Sequence, residues 1–540
     1  MACLRRRAGD KMKRVKLWLL AVISLVSFSC VSMLTVQAAS TPRVLFVYDS
    51  QNVADNDQQK IAAIQRLLTA AQVRVTTTAA ADYHAGTLTK YQGVITMINW
   101  PQTTINNQAF NRDQRRFKGS RLHIGQNLTA MEATALGGQR VKLYHQQLTL
   151  QNQSAKIHQL LPFSETMTTL TQLPAKARTF GWLKAQSVDQ RLYPYGTLVG
   201  NQGYLPYFST GGYSFILAAQ LIGQLFGQTG HYQPLLTITK VTPYSNLTVL
   251  NQLSKRLYQA GIPFAVSTTT VGDNAHFKAY QRFVKVLRLI ENRGGVIFLK
   301  TPVVGGVTVS SGPGLDRLMT AYLIQFAQNQ VFPVGISTSA YWNQDQVYRD
   351  NALTKANQIL WLPDPATPVY AKQDNQARTF DRSIYGLPAS SLATVKQGSD
   401  LGKLGLDFPI PTAVTMTMPN SERSLHDLIR RLKRLNYQWF NPALADTKTE
   451  ITSGTASFGY QQGTYFLNGH PTTINTSATK LKTLAKVKPE EIWVNRFFKA
   501  QGKFLLVFFL LAFAVFVGFI LLGRRVYLNM FKNKSGGKSK

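Results

Sequence analysis

Short apolar runs alternate with amphipathic stretches along the first part of the chain. The runs Arg43–Asp49, Gly93–Ile98 and Arg121–Gly125 have the composition of buried strands, and residues 58–71 have a helical spacing of apolar positions. Strands that alternate with helices favour a parallel sheet with right-handed crossovers. We therefore expect residues 42–228 to form a Rossmann-like or flavodoxin-like α/β domain, with a β-rich portion and a helix at its end.

A second alternation of strands and helices begins near His231 and continues to about residue 445. Its predicted strands are Leu235–Val241, Ile262–Ser267, Val296–Leu299 and Val334–Ser337. Amphipathic helices are predicted between them, the first capped by Asn246 or Ser245. This pattern predicts an incomplete (β/α) barrel over residues 231–445. The following residues, 446–503, are expected to form short strands and a stalk.

The longest apolar run is Phe504–Gly523, which contains no charged residue. A helix of that length spans about 30 Å, the thickness of the hydrocarbon core of a bilayer. Residues 524–540 carry six Lys and Arg and no acid, which by the positive-inside rule predicts a cytoplasmic tail. The sequence thus predicts a single-pass cell-membrane protein whose bulk is extracytoplasmic.

Residues 1–38 have the pattern of a signal peptide. A basic segment precedes the apolar stretch Leu17–Val36, and Val36-Gln37-Ala38 resembles a cleavage site. The apolar stretch is also long enough for an uncleaved helix. Both cysteines, Cys3 and Cys30, fall in this region, so no disulfide is expected in the extracytoplasmic part.

The predicted extracytoplasmic part is strongly basic. Residues 39–503 contain 47 Lys and Arg against 24 Asp and Glu, a net charge of +23. Outside the cell, anionic wall polymers, anionic glycans and lipid headgroups are more accessible partners than nucleic acid. A basic surface that serves only solubility fits the same composition. No long block of one sign marks a discrete patch.

Three short motifs in the second α/β region resemble the NodB-like polysaccharide deacetylases. They are Val241-Thr242-Pro243, Gly261-Ile262-Pro263-Phe264 and Gly294-Gly295. The sequence looks closest to a poorly characterised, membrane-anchored branch of that superfamily. The match covers about 75 residues and extends more weakly to residue 440. The resemblance implies a deacetylase-type barrel and a link to cell-surface polysaccharide.

The residues that would carry deacetylase chemistry are replaced in this chain. In that superfamily an aspartate on the first strand and two histidines after the third hold a metal that activates water. The acidic pair aligns with Thr239 and Lys240, and the histidines align with Lys300 and Val304. An ammonium has no lone pair to offer a cation. We therefore expect no metal, no cofactor and no catalytic residue at these positions.

Several other residues are candidates for a site. Asp273 and His276 follow the second barrel strand and form a pair that a third ligand, such as His231, would have to complete. Lys240 and Lys300 are positioned to meet across one pocket and bind an anionic sugar or carboxylate, or simply to fill an inactive pocket.

Acidic residues near predicted strand ends are weaker candidates. Asp49 ends the first strand, where α/β sheets place ligands, although a loop or N-cap aspartate gives the same pattern. Asp364 and Asp407 have the character of solvated loop acids.

Three functions remain open from the sequence. The first is a catalytically inactive deacetylase-like protein that binds or helps to process or export a cell-surface polysaccharide, beside a membrane glycosyltransferase or export complex. The second is an active carbohydrate esterase or hydrolase with a relocated site. The third is a basic surface protein that docks on anionic cell-wall polymers.

Overall fold

The computed structural model describes residues 41–49, 57–185, 191–271, 275–397, 408–435, 437–474 and 493–532. The chain divides into two compact units, Met1–Ala478 and Thr479–Lys540. The predicted signal peptide lies outside the described residues. The first unit contains a large sheet, a barrel and a small antiparallel sheet.

The strands and helices are numbered in chain order. The strands are β1 (Arg43–Asp49), β2 (Arg74–Ala79), β3 (Gly93–Ile98), β4 (Ser120–Gly125), β5 (Gln139–Gln146), β6 (Leu148–Gln151), β7 (Ile157–Leu160), β8 (Ser164–Thr171), β9 (Arg178–Ala185), β10 (Leu192–Val199), β11 (Gln202–Leu205), β12 (Leu235–Val241), β13 (Ala265–Thr268), β14 (Val296–Lys300), β15 (Gly335–Ser339), β16 (Gln358–Leu362), β17 (Arg382–Pro388), β18 (Val395–Gln397), β19 (Thr412–Thr417), β20 (Thr449–Thr452), β21 (Ser457–Gln461), β22 (Thr464–Leu467) and β23 (His470–Thr472). The helices are α1 (Asp57–Ala70), α2 (Gln108–Arg116), α3 (Ala130–Leu136), α4 (Gly212–Leu225), α5 (Leu247–Gln259), α6 (Lys278–Asn292), α7 (Gly312–Gln328), α8 (Gln346–Asn351), α9 (Glu422–Leu435) and α10 (Trp493–Lys532).

The large sheet has ten strands in the order β18-β7-β6-β9-β10-β11-β4-β3-β1-β2. The five strands from β11 to β2 run parallel to one another. The other pairs are antiparallel. All six residues of β3 are buried, as expected for a parallel strand covered on both faces. The parallel strands predicted from the apolar runs are present.

The barrel is a closed ring of seven parallel strands, β12-β13-β14-β15-β16-β17-β19. The sequence-based prediction of an incomplete barrel is therefore wrong in one respect, because β19 pairs with β12 and closes the ring. The apolar pattern missed β17 and β19. No α-helix occurs in the described residues between β16 and β19, so the alternation that identifies such strands breaks down there.

The sheet and the barrel share a core. Helix α1 of the sheet packs on barrel strand β17. The Arg66 guanidinium donates hydrogen bonds to the Gly386 carbonyl (3.2 Å) and the Tyr385 hydroxyl (3.1 Å), and it lies 4.5 Å from the centre of the Tyr385 ring. The centre of the Phe215 ring of α4 lies 4.5 Å from that of the Tyr385 ring. These contacts place one wall of the barrel against the sheet.

Segments of the barrel chain also cover both edges of the sheet. At one edge, β18 pairs with β7. At the other, residues 375–377 bond to β2, with the Thr77 N–H 2.9 Å from the Asn375 carbonyl and the Ala377 N–H 2.8 Å from the Val75 carbonyl. One edge of the sheet is therefore a strand of only three residues, and the other is partly paired with residues 375–377, which leaves little open edge on either side.

The strands β20 to β23 form a four-stranded antiparallel sheet. It packs near the amino-terminal ends of the barrel strands, where the Tyr465 hydroxyl donates to the Gly295 carbonyl over 3.4 Å. The Phe332 ring lies 6.3 Å from that of Phe458. Short strands are therefore present after residue 445, and residues 475–492 lie outside the described part of the chain.

The described part of the second unit is the long helix α10. Its segment Phe504–Met530 is apolar enough and, at 27 residues, long enough to cross a membrane. The predicted C-terminal membrane-spanning helix is thus confirmed as a helix of the required length and composition. The helix extends beyond the apolar run through the first basic residues, Arg524 and Arg525.

Candidate functional site

A cavity of about 1250 Å³ opens at the carboxyl ends of the barrel strands. Parallel (β/α) barrels bind their ligands at this end, because the loops that follow the strands converge there. The ends of β12 and β19 and the loops after β14, β15, β16 and β17 contribute to its wall, and α9 closes one side. We call it the barrel-mouth cavity.

The four positions aligned with the deacetylase metal site all line the barrel-mouth cavity. They are Thr239, Lys240, Lys300 and Val304. The Thr239 hydroxyl donates to the Met416 carbonyl over 3.3 Å, so this side chain is used within the barrel. Val304 is half-buried and packs against the hydrophobic core. Of these four positions, only Lys240 and Lys300 present a charged group to the cavity.

Lys240 lies in a bulge near the end of β12. The pairing of β12 with β13 shifts between Ile238 and Val241, and Lys240 has a φ of 60°. Such a left-handed conformation is uncommon for a residue with a Cβ, and it is found most often where the surrounding structure enforces it. The bulge places an exposed lysine at the cavity rather than continuing the regular alternation of the strand.

Lys300 is half-buried at the end of β14. Burial lowers the pKa of its ammonium, and the nearby charge of Lys240 lowers it further. Neither lysine forms an ion pair or a hydrogen bond with any residue in the described ranges. Two like charges therefore face one cavity, and neither is paired with a carboxylate of the described residues.

Asp364 also lines this cavity, two residues beyond β16. Its Oδ1 atom accepts the Tyr341 N–H over 3.0 Å. Burial raises the pKa of the carboxyl, and the Arg66 guanidinium partly opposes that shift. The interpretation of Asp364 as a solvated loop acid is wrong. Its position directly after the buried run Gln358–Leu362 was the available signal.

Aromatic rings and an arginine complete the wall, and none of them was predicted from the sequence. Tyr341 and Trp342 line the cavity with their ring centres 6.4 Å apart. Arg431 reaches it from α9, on the same helix face as Leu428 and Leu435. The amphipathic pattern of α9 identifies that face, but no sequence motif indicates that it borders a cavity.

The remaining candidates lie elsewhere. His276 is exposed, contacts the Phe277 ring edge-on with ring centres 4.4 Å apart, and does not line the cavity. His231 is exposed as well. Asp49 is buried at the end of β1 and does not line the cavity either. Asp273 and Asp407 lie outside the described residues. Within the described ranges, no three His, Cys, Asp or Glu side chains are grouped so that they could hold a metal ion.

Comparison with known proteins does not assign this chain to a family. No family model matches the chain, and no curated protein matches it. One solved structure with a detectable similarity is a ThuA-like protein from Parabacteroides merdae. It is 11% identical over 36% of this chain and 93% of that chain, with a TM-score of 0.23. A similarity of that size does not define a shared fold.

Proposed function

We propose that this chain is a membrane-anchored, extracytoplasmic protein that binds an acidic cell-surface polysaccharide at the barrel mouth and does not deacetylate it. The observation that carries the proposal is the pair Lys240 and Lys300, which face one cavity and have no acidic partner among the described residues. An anionic ligand between them would remove their mutual repulsion and supply the missing counter-charge.

The rest of the wall suits a sugar. The rings of Tyr341 and Trp342 are buried behind the cavity surface and give this part of the wall a rigid, largely apolar backing. The Asp364 carboxyl offers an acceptor for hydroxyl groups, and Arg431 adds a third cation. A volume of about 1250 Å³ has room for more than one sugar ring.

The fold assignment belongs to the same proposal. The strand order β2-β1-β3-β4 with parallel pairing supports a Rossmann-like or flavodoxin-like domain. The seven-strand ring and the position of Thr239, Lys240, Lys300 and Val304 at its mouth support a deacetylase-type barrel whose metal ligands have been replaced.

The proposed location follows from the ends of the chain. The basic residues after the apolar part of α10 favour a cytoplasmic C-terminus by the positive-inside rule. The barrel would then lie outside, where a polysaccharide emerges. Through the resemblance to deacetylases, we propose a membrane glycosyltransferase or export complex as its neighbour.

Binding of polyglucuronate and of an uncharged glucan to the full-length protein in detergent tests the proposal. We expect saturable binding of the polyanion, and a loss of tenfold or more in affinity for Lys240→Asn and for Lys300→Gln, because each removes a charge-assisted contact worth about 1.5–3 kcal/mol. Asparagine tolerates the left-handed conformation of residue 240. Lys255→Gln, on the exposed face of α5, is the matched control.

Two results would contradict this proposal. One is equal affinity of the wild-type protein and both cavity variants. The other is an equal loss with Lys255→Gln, together with binding that disappears steeply as salt rises, which would indicate docking of a polyanion on the general basic surface.

A hydrolase with a relocated site is the second candidate, and Asp364 favours it. A carboxyl group with a raised pKa in a cavity can act as a general acid or base. The test is turnover of acetylated and unmodified oligosaccharides by the wild-type protein and Asp364→Asn, with metal analysis. If turnover is lost in Asp364→Asn and kept in Lys255→Gln, the chain is a hydrolase, and the proposal of a binding protein without catalysis is wrong.

A further inference from the structure

A second, smaller cavity lies in the sheet, at the carboxyl ends of β3 and β4. Its volume is about 240 Å³. Open α/β sheets bind ligands beyond the carboxyl ends of their parallel strands. Most of its lining residues have polar side chains, among them Thr96, Asn111, Gln114, Arg115, His123 and Glu132. No sequence motif indicates this cavity.

A buried ion pair forms one wall of this cavity. The His123 Nδ1 atom lies 3.1 Å from Glu132 Oε1, and its Nε2 atom lies 2.7 Å from the Gln126 carbonyl. Glu132 Oε2 accepts from the Thr129 N–H (2.9 Å) and hydroxyl (2.8 Å). Both ring nitrogens of His123 thus face acceptors, so the ring donates from both and carries a charge.

The charges of this pair are fixed by its surroundings. Burial opposes both charges, but the histidine and the Thr129 donors outweigh it and lower the pKa of Glu132 to about 2. The carboxylate in turn raises the pKa of His123. Side chains that are buried and already paired in this way provide a rigid wall.

Backbone conformation holds a loop over the cavity. Gly125 and Asn127, at the end of β4, have φ values of 96° and 58°. The turn that they form directs the Asn127 amide to the Pro101 and Thr103 carbonyls, at 2.8 and 2.7 Å. The loop after β3 is pinned by these two bonds, and its residues Thr104 and Ile105 line the cavity.

The open part of the wall has a distinct chemistry. Asn111, Gln114 and Arg115 project from one face of α2, at the helical spacing of three and four residues. The Gln114 amide donates to Glu132 over 3.2 Å and to the Thr96 hydroxyl over 3.5 Å, and the Asn111 amide donates to the Ile105 carbonyl over 3.0 Å. These two residues therefore offer their side-chain carbonyl oxygens, as acceptors, to a ligand. The Arg115 guanidinium is exposed and forms no ion pair with a residue in the described part of the chain. Amides and hydroxyls are suited to sugar hydroxyls, and a guanidinium is suited to a carboxylate.

We propose that this second cavity binds a single sugar ring that carries one carboxylate, with Arg115 on the carboxylate and the side chains of Asn111, Gln114 and Thr96 on the ring hydroxyls. The size agrees, since 240 Å³ corresponds to about eight water molecules at roughly 30 Å³ each, the scale of one ring. The inference does not depend on the function proposed for the barrel mouth, which involves different residues.

Equilibrium titration of the full-length protein with D-glucuronate and with D-glucose tests this inference. The titrations are repeated with proteins that carry Lys300→Gln, so that D-glucuronate binding at the barrel-mouth cavity does not contribute to the signal. We expect saturable binding of D-glucuronate, weakened tenfold or more by Arg115→Gln and unchanged by Arg112→Gln, an exposed residue of α2 that does not line the cavity. D-glucose should bind the wild-type and Arg115→Gln proteins equally.

Each result distinguishes this inference from the barrel-mouth proposal. Loss of D-glucuronate binding in Arg115→Gln, but not in Lys300→Gln, supports the second cavity whatever happens at the barrel mouth. Equal affinity of Arg115→Gln and Arg112→Gln would overturn it. So would the absence of saturable D-glucuronate binding at millimolar concentrations in the wild-type protein.

Discussion

Glu291, near the end of α6, is an acid that the core keeps out of water. Its side chain is 4% exposed. The Oε1 atom accepts the Phe332 N–H over 2.7 Å, and Oε2 has no hydrogen-bond partner among the described residues. Burial raises the pKa of this carboxyl to about 8. The group is therefore mostly protonated at neutral pH in the folded protein.

This residue predicts a pH dependence of stability. The pKa in the folded state lies above the ordinary value of 4.5, so the carboxyl takes up a proton on folding. The contribution of Glu291 to the free energy of unfolding is therefore most favourable below pH 4.5, and it falls as the pH rises towards 8. At pH 7 the free energy of unfolding is about 3 kcal/mol lower than at low pH because of this group. Glu291→Gln, which cannot ionise, should remove this slope.

Urea unfolding of the full-length protein in detergent at pH 5, 6, 7 and 8 measures the effect. The difference in unfolding free energy between Glu291→Gln and wild type should grow with pH in favour of the variant. Glu165→Gln, at an exposed position of β8, should show no such trend. A constant difference across the series would show that Glu291 is already ionised when folded.

The strand β12 illustrates what happens at the scale of an element. Its limits were predicted from the apolar pattern, but its bulge was not, because nothing in Thr239-Lys240-Val241 marks a left-handed residue. Glycine adopts this conformation without strain, and a β-branched residue does so least readily. Lys240→Gly should match or exceed wild-type stability, and Lys240→Val should lower it by about 1–3 kcal/mol. Thermal unfolding of both variants measures this difference. In a regular strand the order of stability would reverse, and Lys240→Val would be more stable than Lys240→Gly.

The turn after β4 predicts a sharper effect. A Cβ at Gly125 would lie 2.0 Å from the Ile98 carbonyl oxygen, and its φ is 96°. We expect Gly125→Ala to lower stability by about 3 kcal/mol or more, because both the contact and the backbone must change. Gly86→Ala is the control: its φ is 80°, but its Cβ would meet open space, so only the backbone strain of about 1 kcal/mol applies. Similar losses for both variants in urea unfolding would contradict the turn geometry.

Sequence patterns predicted the limits of strands better than they predicted which residues come together in the fold. Predicted strands such as Gly93–Ile98 and Leu235–Val241 have the same limits in the structure, because each is a short, mainly apolar and β-branched run. The short strand β18 was invisible, since three residues define no period. The lysines of the barrel mouth were found through the family resemblance, whereas Asp364 and Arg431 depend on how loops and α9 come together in space.

At the scale of the whole molecule, the two compact units predict separable behaviour. The cavities lie in the first unit, and the apolar segment Phe504–Met530 lies in the second. A chain that ends at Ala478 should be recovered in the soluble fraction and should bind D-glucuronate with the affinity of the full-length protein. The full-length chain should require detergent for extraction after an alkaline carbonate wash. Retention of the shortened chain in the membrane pellet would show a second means of attachment.

The large sheet has a consequence for how the chain is made. Synthesis proceeds from the amino terminus, so β1 to β11 leave the ribosome well before residues 375–377 and β18 can cover the two sheet edges. During that interval both edges are open to pairing with other nascent chains. The first half of this protein is therefore the part most in need of a chaperone, and a chain interrupted near residue 230 should accumulate as aggregate rather than as a stable domain.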